Sequence, residues 1–179
     1  LGSPLQGHPD RLRLPGIEMS TGSLGQGLSV ALGMALAAKM DGKSWRTWCI
    51  LGDGEMQEGQ VWEALMAAPK FKLDNLVAVV DYNGGQIDGP VSEVMDLEPL
   101  ADKLRAFNWR TVVADGHDFA ALDAALTDAR KGGDGRPVAL VAKTAKGKGV
   151  SFLEHPNDWH GKAPNKDEAA RALKELSHG

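Results

Sequence analysis

Apolar residues recur in short runs separated by polar stretches that carry glycine or proline, and the spacing within each run indicates its element. Residues 1–20 are rich in Gly and Pro and read as loop. From 25 to 40, GQGLSVALGMALAAKM places small and apolar residues on nearly every face. That pattern predicts a helix buried on several sides, of the kind found at a subunit interface. Residues 46–51 read as a buried strand stopped by Gly52, and EGQVWEALMAA (58–68) as a helix ended by Pro69. A second strand, NLVAVVDY (75–82), runs into the polar loop NGGQIDGP. A third strand is expected at 107–114 (FNWRTVVA) and a helix at 118–131, with Asp118 as its N-cap. A fourth strand follows at 137–143 (PVALVAK), then an amphipathic helix at 165–178. Strands that are apolar throughout and alternate with helices predict an α/β fold: a mostly parallel sheet with helices on both faces. No internal repeat, low-complexity tract or linker interrupts it, so residues 1–179 read as one domain.

Composition narrows the function classes. Hydrophobic residues make up 42% and charged residues 25%, and the net charge is −4. An acidic balance gives no global support to nucleic-acid or anionic-membrane binding. No apolar run approaches the ~20 residues of a membrane span, and no signal peptide is visible. The single cysteine, Cys49, lies in an apolar run, reads as core, and fits a reducing, cytoplasmic setting. The chain opens on LGSPLQGHPD without Met, which reads as the middle of a longer segment; native residues are expected to precede it.

In sheets of this type ligands bind beyond the carboxyl ends of the strands. Two loops fall there: Gly52-Asp53-Gly54, and Asn83 to Gly89. A carboxylate between two glycines has little to pack against, and the glycines let a ligand approach the backbone. The plain alternative is a turn aspartate capping the next helix. Asn83 stands thirty residues on, at the end of the next strand. If the two strands are neighbours, a carboxylate and an amide oxygen share one crevice, which is a hard-cation arrangement. The carbonyl of Gly85 is a candidate third ligand. Mg²⁺ completes its octahedron with phosphate oxygens and water. A metal held this way lets an acidic protein bind a diphosphate.

The Gly-Asp-Gly…Asn spacing is the thiamine-diphosphate fingerprint, and six segments resemble transketolase in that family's order. They are STGSLGQGLSVALGMA (20–35), GDGEMQEGQVWEA (52–64), DYNGGQIDG (81–89), DGHD (115–118), KTAKGKGVSF (143–152) and WHGKAP (159–164). The likeness is closest to the split form, whose N-terminal subunit carries only the diphosphate-binding domain. The resemblance implies the thiamine-diphosphate-binding fold. It also implies transfer of a two-carbon ketol unit from a ketose to an aldose, both commonly phosphorylated. Asp53, Asn83 and the Gly85 carbonyl would hold Mg²⁺ or Ca²⁺, and Gly54 would lie against the diphosphate. Gly22, Ser23 and Leu24 would line the cofactor's rings. His160 would sit near the diphosphate and reach the substrate, and His8 would contact the sugar. Glu58 and Glu63 match acidic residues near a subunit interface that are implicated in linking two active sites. Ser23 stands where many members have Pro, and Gly85 where many have a branched residue. The resemblance implies that the pyrimidine-binding domain lies outside this chain, so a partner subunit or domain and a homo- or hetero-oligomer are expected, with activity only in its presence.

Other readings stay open at this level. The chain could be a relative such as deoxyxylulose-phosphate synthase, dihydroxyacetone synthase or a 2-oxoacid dehydrogenase. It could be a non-catalytic module that binds the cofactor or a partner, or a metal-independent nucleotide-binding protein. Glu58 and Glu63 could be ordinary first-turn helix acids. The stretch Lys143 to Lys148 is either a phosphate-facing patch or a solvated loop. His117 reads as a turn residue, His155 and His178 as residues without a role, and the five Trp as core or interface. Gly42-Lys43-Ser44 lacks the upstream glycine and strand of a P-loop. The donor and acceptor sugars are not encoded in these motifs.

Overall fold

The computed structural model describes residues 2–154 and 157–177; His155 and His178 lie outside them. In chain order its elements are α1 (Gln26–Met40), β1 (Thr47–Gly52), α2 (Gly59–Lys70), β2 (Leu76–Tyr82), the short strands β3 (Gly85–Gln86) and β4 (Gly89–Pro90), α3 (Val91–Val94), α4 (Leu100–Ala106), β5 (Arg110–Asp115), α5 (Phe119–Ala129), β6 (Val138–Lys143) and α6 (Lys166–Leu176). Turns of 3-10 helix cover Glu55–Gln57 and Asn157–Trp159.

Four strands form one parallel sheet in the order β1-β2-β6-β5. The path from β1 to β2 and the path from β5 to β6 run in opposite directions across the sheet. With right-handed crossovers, this places their helices on opposite faces. On one face, alternate residues Cys49 and Leu51, Ala78 and Val80, and Ala139 and Val141 pack under Leu28, Ala31 and Ala35 of α1, Val61 and Leu65 of α2, and Leu104 of α4. On the other face, Val77 and Val138 meet Ala129 of α5. Helices therefore flank both faces, as the apolar strands require. Over β1 this second face carries no cover among the described residues, and Ile50 is 76% exposed beside Trp48.

Two expectations are corrected. The helix expected to end at Pro69 runs through it to Lys70. A proline here has no N–H to give the Leu65 carbonyl one turn back. That carbonyl instead accepts the indole N–H of Trp109 at 2.8 Å, so the helix loses no buried hydrogen bond. The strand expected from 107 begins at Arg110. Asn108, in the left-handed region at φ 65°, closes α4, and Trp109 is buried beneath α2. The Phe107–Trp109 apolar cluster is thus a helix end and an anchor. Elsewhere the local signals hold. Asp118 caps α5 by accepting from the amides of Ala120 and Ala121, and Asn165 with Glu168 forms a capping box on α6.

The register aligns Gly52 with Asp81, Tyr82 with Lys143, and Asp115 with Lys143. All four strands end at one level, where the Gly-Asp-Gly turn and the 83–90 loop come together.

Candidate functional site

Asp53 follows the last paired residue of β1, and its amide donates to the Asp81 carbonyl at 3.2 Å. Its side chain is turned inward and only 1% of the residue is exposed. One carboxylate oxygen accepts the Gly54 N–H at 2.8 Å, the other the Gly84 N–H at 2.5 Å. Among the described residues no lysine, arginine or histidine pairs with it. Burial is the largest influence and raises its pKa; the charge of Asp81 also raises it, while the amides of Gly84, Gly54 and Asn83 oppose the shift. A buried carboxylate facing backbone dipoles and a second carboxylate is set to take up a cation.

The 83–90 loop reaches Asp53 because β1 and β2 are neighbours. The loop is not irregular: β3 and β4 pair as a small antiparallel hairpin. The hairpin lies close over the Gly-Asp-Gly turn. A Cβ on Gly54 would stand 2.7 Å from Cβ of Gln86, so Gly54 is needed for close approach, although its φ of −58° suits any residue. The Gly85 carbonyl oxygen lies 3.9 Å from the same point. Asn83 Oδ1 accepts the Gly85 N–H at 3.0 Å, and Nδ2 approaches Asp81 at 3.4 Å. Asp81 also accepts the hydroxyl of Thr144, and the Thr144 amide donates to the Tyr82 carbonyl at 3.1 Å.

These oxygens suit a hard cation. A carboxylate, an amide and a backbone carbonyl are the donor types that Mg²⁺ and Ca²⁺ take. Each oxygen already holding one N–H keeps a second lone pair. Among the described residues no group of three or more His, Cys, Asp or Glu forms a self-sufficient metal site. Three protein oxygens fall short of a full shell, so an ion held here would draw its remaining ligands from a phosphate or water.

The loop before α1 brings the other candidates together. Gly22 stands against His8, whose ring carbon would be 2.9 Å from a Cβ there. His8, Gly22, Ser23 and Leu24 are all exposed. Gly25, at φ 81°, is the N-cap of α1 and has no side chain to cap with. Its N–H is taken by Glu55 Oε1 at 3.0 Å, while Oε2 accepts the Gly52 N–H at 3.2 Å. Sequence reasoning misses Glu55. Its signal is a carboxylate directly after Gly-Asp-Gly, which sequence alone does not distinguish from a solvated acid.

His160 is exposed in the turn after Asn157–Trp159, and its hydrogen-bond partner is Lys146, with Nζ 3.0 Å from Nδ1. An ammonium only donates, so Nδ1 accepts and Nε2 carries the proton. Neighbouring rings pin the turn: Trp159 meets Phe152 edge-on at 5.7 Å, and Lys162 lies 4.2 Å over the Trp159 ring. Of the run 143–148, Lys146 is thus engaged, while Lys143 and Lys148 are exposed. His117 is more than a turn residue: Nε2 accepts the Ala145 N–H at 2.7 Å and ties the end of β5 to the loop after β6. Glu58 and Glu63 are exposed and make no ion pair among the described residues. Neither is a first-turn acid. Glu58 occupies the N-cap of α2 without capping it, and Glu63 lies further along the helix.

Comparison with known proteins identifies the family. The family model described as transketolase, thiamine diphosphate binding domain, matches residues 1–178. The chain is 43% identical over 179 residues to an apulose-4-phosphate transketolase subunit of Phocaeicola vulgatus, covering 98% of this chain and 62% of that one. It is 48% identical over 153 residues to a 6-deoxy-6-sulfo-D-fructose transketolase subunit of a Clostridium species, covering 86% of this chain and 55% of that one. It is also 41% identical over 179 residues to human transketolase, covering 98% of this chain but 28% of that protein. The chain thus spans about six tenths of the subunit-type relatives and less than a third of the full-length one. Among solved structures, Campylobacter jejuni transketolase superposes with a TM-score of 0.86 at 33% identity, over 99% of this chain and 28% of that one. With fold and sequence in agreement, the chain belongs to the transketolase family, as its N-terminal thiamine-diphosphate-binding domain.

Proposed function

We propose that this chain is the diphosphate-binding half of a transketolase-type enzyme. It acts with thiamine diphosphate and Mg²⁺ or Ca²⁺, and a pyrimidine-binding subunit or domain completes it. The reaction is transfer of a two-carbon ketol unit from a ketose phosphate to an aldose phosphate. The observation that carries this reading is Asp53, a buried carboxylate without a cationic partner among the described residues, beside the Asn83–Gly85 turn.

When bound, the cofactor supplies the covalent carbon chemistry, and the protein binds and orients it. Asp53, Asn83 Oδ1 and the Gly85 carbonyl hold the metal. Gly54 lets the diphosphate approach the turn, and Gly22, Ser23 and Leu24 line the rings. Lys146 occupies Nδ1 of His160, which leaves Nε2–H to donate to an oxygen of diphosphate or substrate. His8, packed on Gly22, is placed to meet the sugar at the same loop.

A partner is supported by the relatives named as subunits of apulose-4-phosphate and 6-deoxy-6-sulfo-D-fructose transketolases. Both names specify anionic sugars, one a phosphate and one a sulfonate, which supports an anionic sugar here. Glu58 and Glu63 are exposed to meet that partner. Gly33, Met34, Ala37 and Met40 on the outer side of α1 are exposed and suit oligomer contacts. No described helix is long and apolar enough to cross a membrane. The test is ketose-to-aldose transfer, with thiamine diphosphate and Mg²⁺, by the chain alone and in mixture with its pyrimidine-binding partner. Transfer is expected only from the mixture. Ordinary rates from the chain alone, or none from the complete set, would contradict the proposal.

A further inference from the structure

We propose that Glu55 is a positioning residue that sets the spacing between the ring-contacting loop and the metal-binding turn. The inference rests on the cofactor reading above. Glu55 opens the 3-10 turn that follows Gly54, and its carboxylate bridges two elements. One oxygen holds the amide of Gly25 at the start of α1, and the other holds the amide of Gly52 at the end of β1. The bond to Gly25 holds the N-cap amide of α1 and places a negative charge at the helix N-terminus, where the helix dipole favours it.

A second observation shows the same seat. Gly25 sits in the left-handed region, and a Cβ there would be 2.9 Å from Cβ of Glu58. The Leu24–Gly25 backbone is therefore pressed onto the 55–58 turn by packing and gripped there by a charged acceptor. Leu24 and Ser23 immediately precede this point; Asp53 and Gly54 immediately precede Glu55. A single side chain thus couples the loop that faces the rings to the turn that faces the diphosphate. Asp53 does not depend on it: its oxygens are held by Gly54 and Gly84, and its amide by Asp81.

This separation dictates the test. Thiamine diphosphate needs both ends of the site at a fixed distance, whereas inorganic pyrophosphate needs only the metal end. Wild type, Glu55→Gln and Glu55→Ala are titrated calorimetrically with each ligand in the presence of Mg²⁺, and their thermal midpoints and amide exchange are recorded. Glu55→Ala, which loses both charge-assisted bonds, should bind thiamine diphosphate about tenfold more weakly, with pyrophosphate affinity within about twofold of wild type. Glu55→Gln keeps one acceptor oxygen and should fall between. Exchange at Gly25 should accelerate while exchange in β2 and β6 does not change. Equal losses for both ligands would make Glu55 a general structural residue and overturn the proposal. Unchanged affinity for thiamine diphosphate in Glu55→Ala would overturn it too. A variant that fails to fold shows loss of protection in β2 and β6 as well, and counts as the structural outcome. Wild-type protein that binds neither ligand would defeat the cofactor reading itself, and this inference with it, before any variant is compared.

Discussion

Asp53 and Cys49 illustrate two opposite uses of burial in one strand-and-turn. Both have raised pKa values, chiefly through desolvation. Asp53 lies at the loop end of the strand, where backbone amides and Asn83 share its space. Cys49 faces the helix-covered core, and its thiol is pushed up to about 12 from an ordinary 9.0. A folded-state value above the unfolded one means that the native protein keeps a proton the unfolded chain has released. This contribution is fully present below pH 9.0 and is lost as pH rises toward about 12. At pH 8 the native thiol should therefore react with a disulfide reagent far more slowly than in denaturant. Comparable rates in the two states would show that Cys49 is accessible. At His160, the Lys146 contact fixes which nitrogen faces outward. If the Nε2–H acts chiefly on the substrate, His160→Ala should lower turnover of the assembled enzyme more than it lowers cofactor affinity. Full activity in that variant would return His160 to a solvated loop residue.

Among the elements, the hairpin over Gly-Asp-Gly and the anchor beneath α2 lead to separate predictions. Gly54→Ala must push the hairpin away, because its Cβ would meet that of Gln86 at 2.7 Å. Cofactor affinity should drop, and Gln86→Gly in the same chain should restore part of it. A double variant no better than Gly54→Ala would assign the loss to another contact. Trp109→Phe leaves the Leu65 carbonyl unpaired, since Pro69 cannot replace the indole N–H. Unfolding free energy should fall by about 1–3 kcal/mol in chemical denaturation; an unchanged midpoint would show that the carbonyl finds another donor. These elements also mark what the sequence made legible. The parallel strands, α1, α5 with its Asp118 cap and the amphipathic α6 follow from apolar runs and local signals, which act within a few positions. Leu65 and Trp109 are 44 residues apart in the chain, and only their meeting in space satisfies the carbonyl that Pro69 leaves open. α4 escapes pattern reading because its 7 residues carry only Leu100 and Leu104 as a buried pair. The metal-ligand candidates were legible because β1 and β2 are consecutive neighbours. Glu55 was not, because its role depends on where the start of α1 lies.

For the whole molecule, the Glu55, Thr144 and Lys146 contacts link the loop before α1, the sheet ends and the His160 turn along one edge of the domain. His8, Ser23, Leu24 and His160 are exposed. The central claim is that this edge grips a diphosphate through a metal held by Asp53. The most direct measurement is calorimetric titration of thiamine diphosphate into wild-type protein and Asp53→Ala, each with Mg²⁺ and with a chelator. Binding should appear only for wild type with Mg²⁺, and Asp53→Ala should keep its fold while losing more than the ~10–100-fold typical of residues that merely support a metal ligand. Equal affinity in the chelator, or unchanged affinity in Asp53→Ala, would contradict the account.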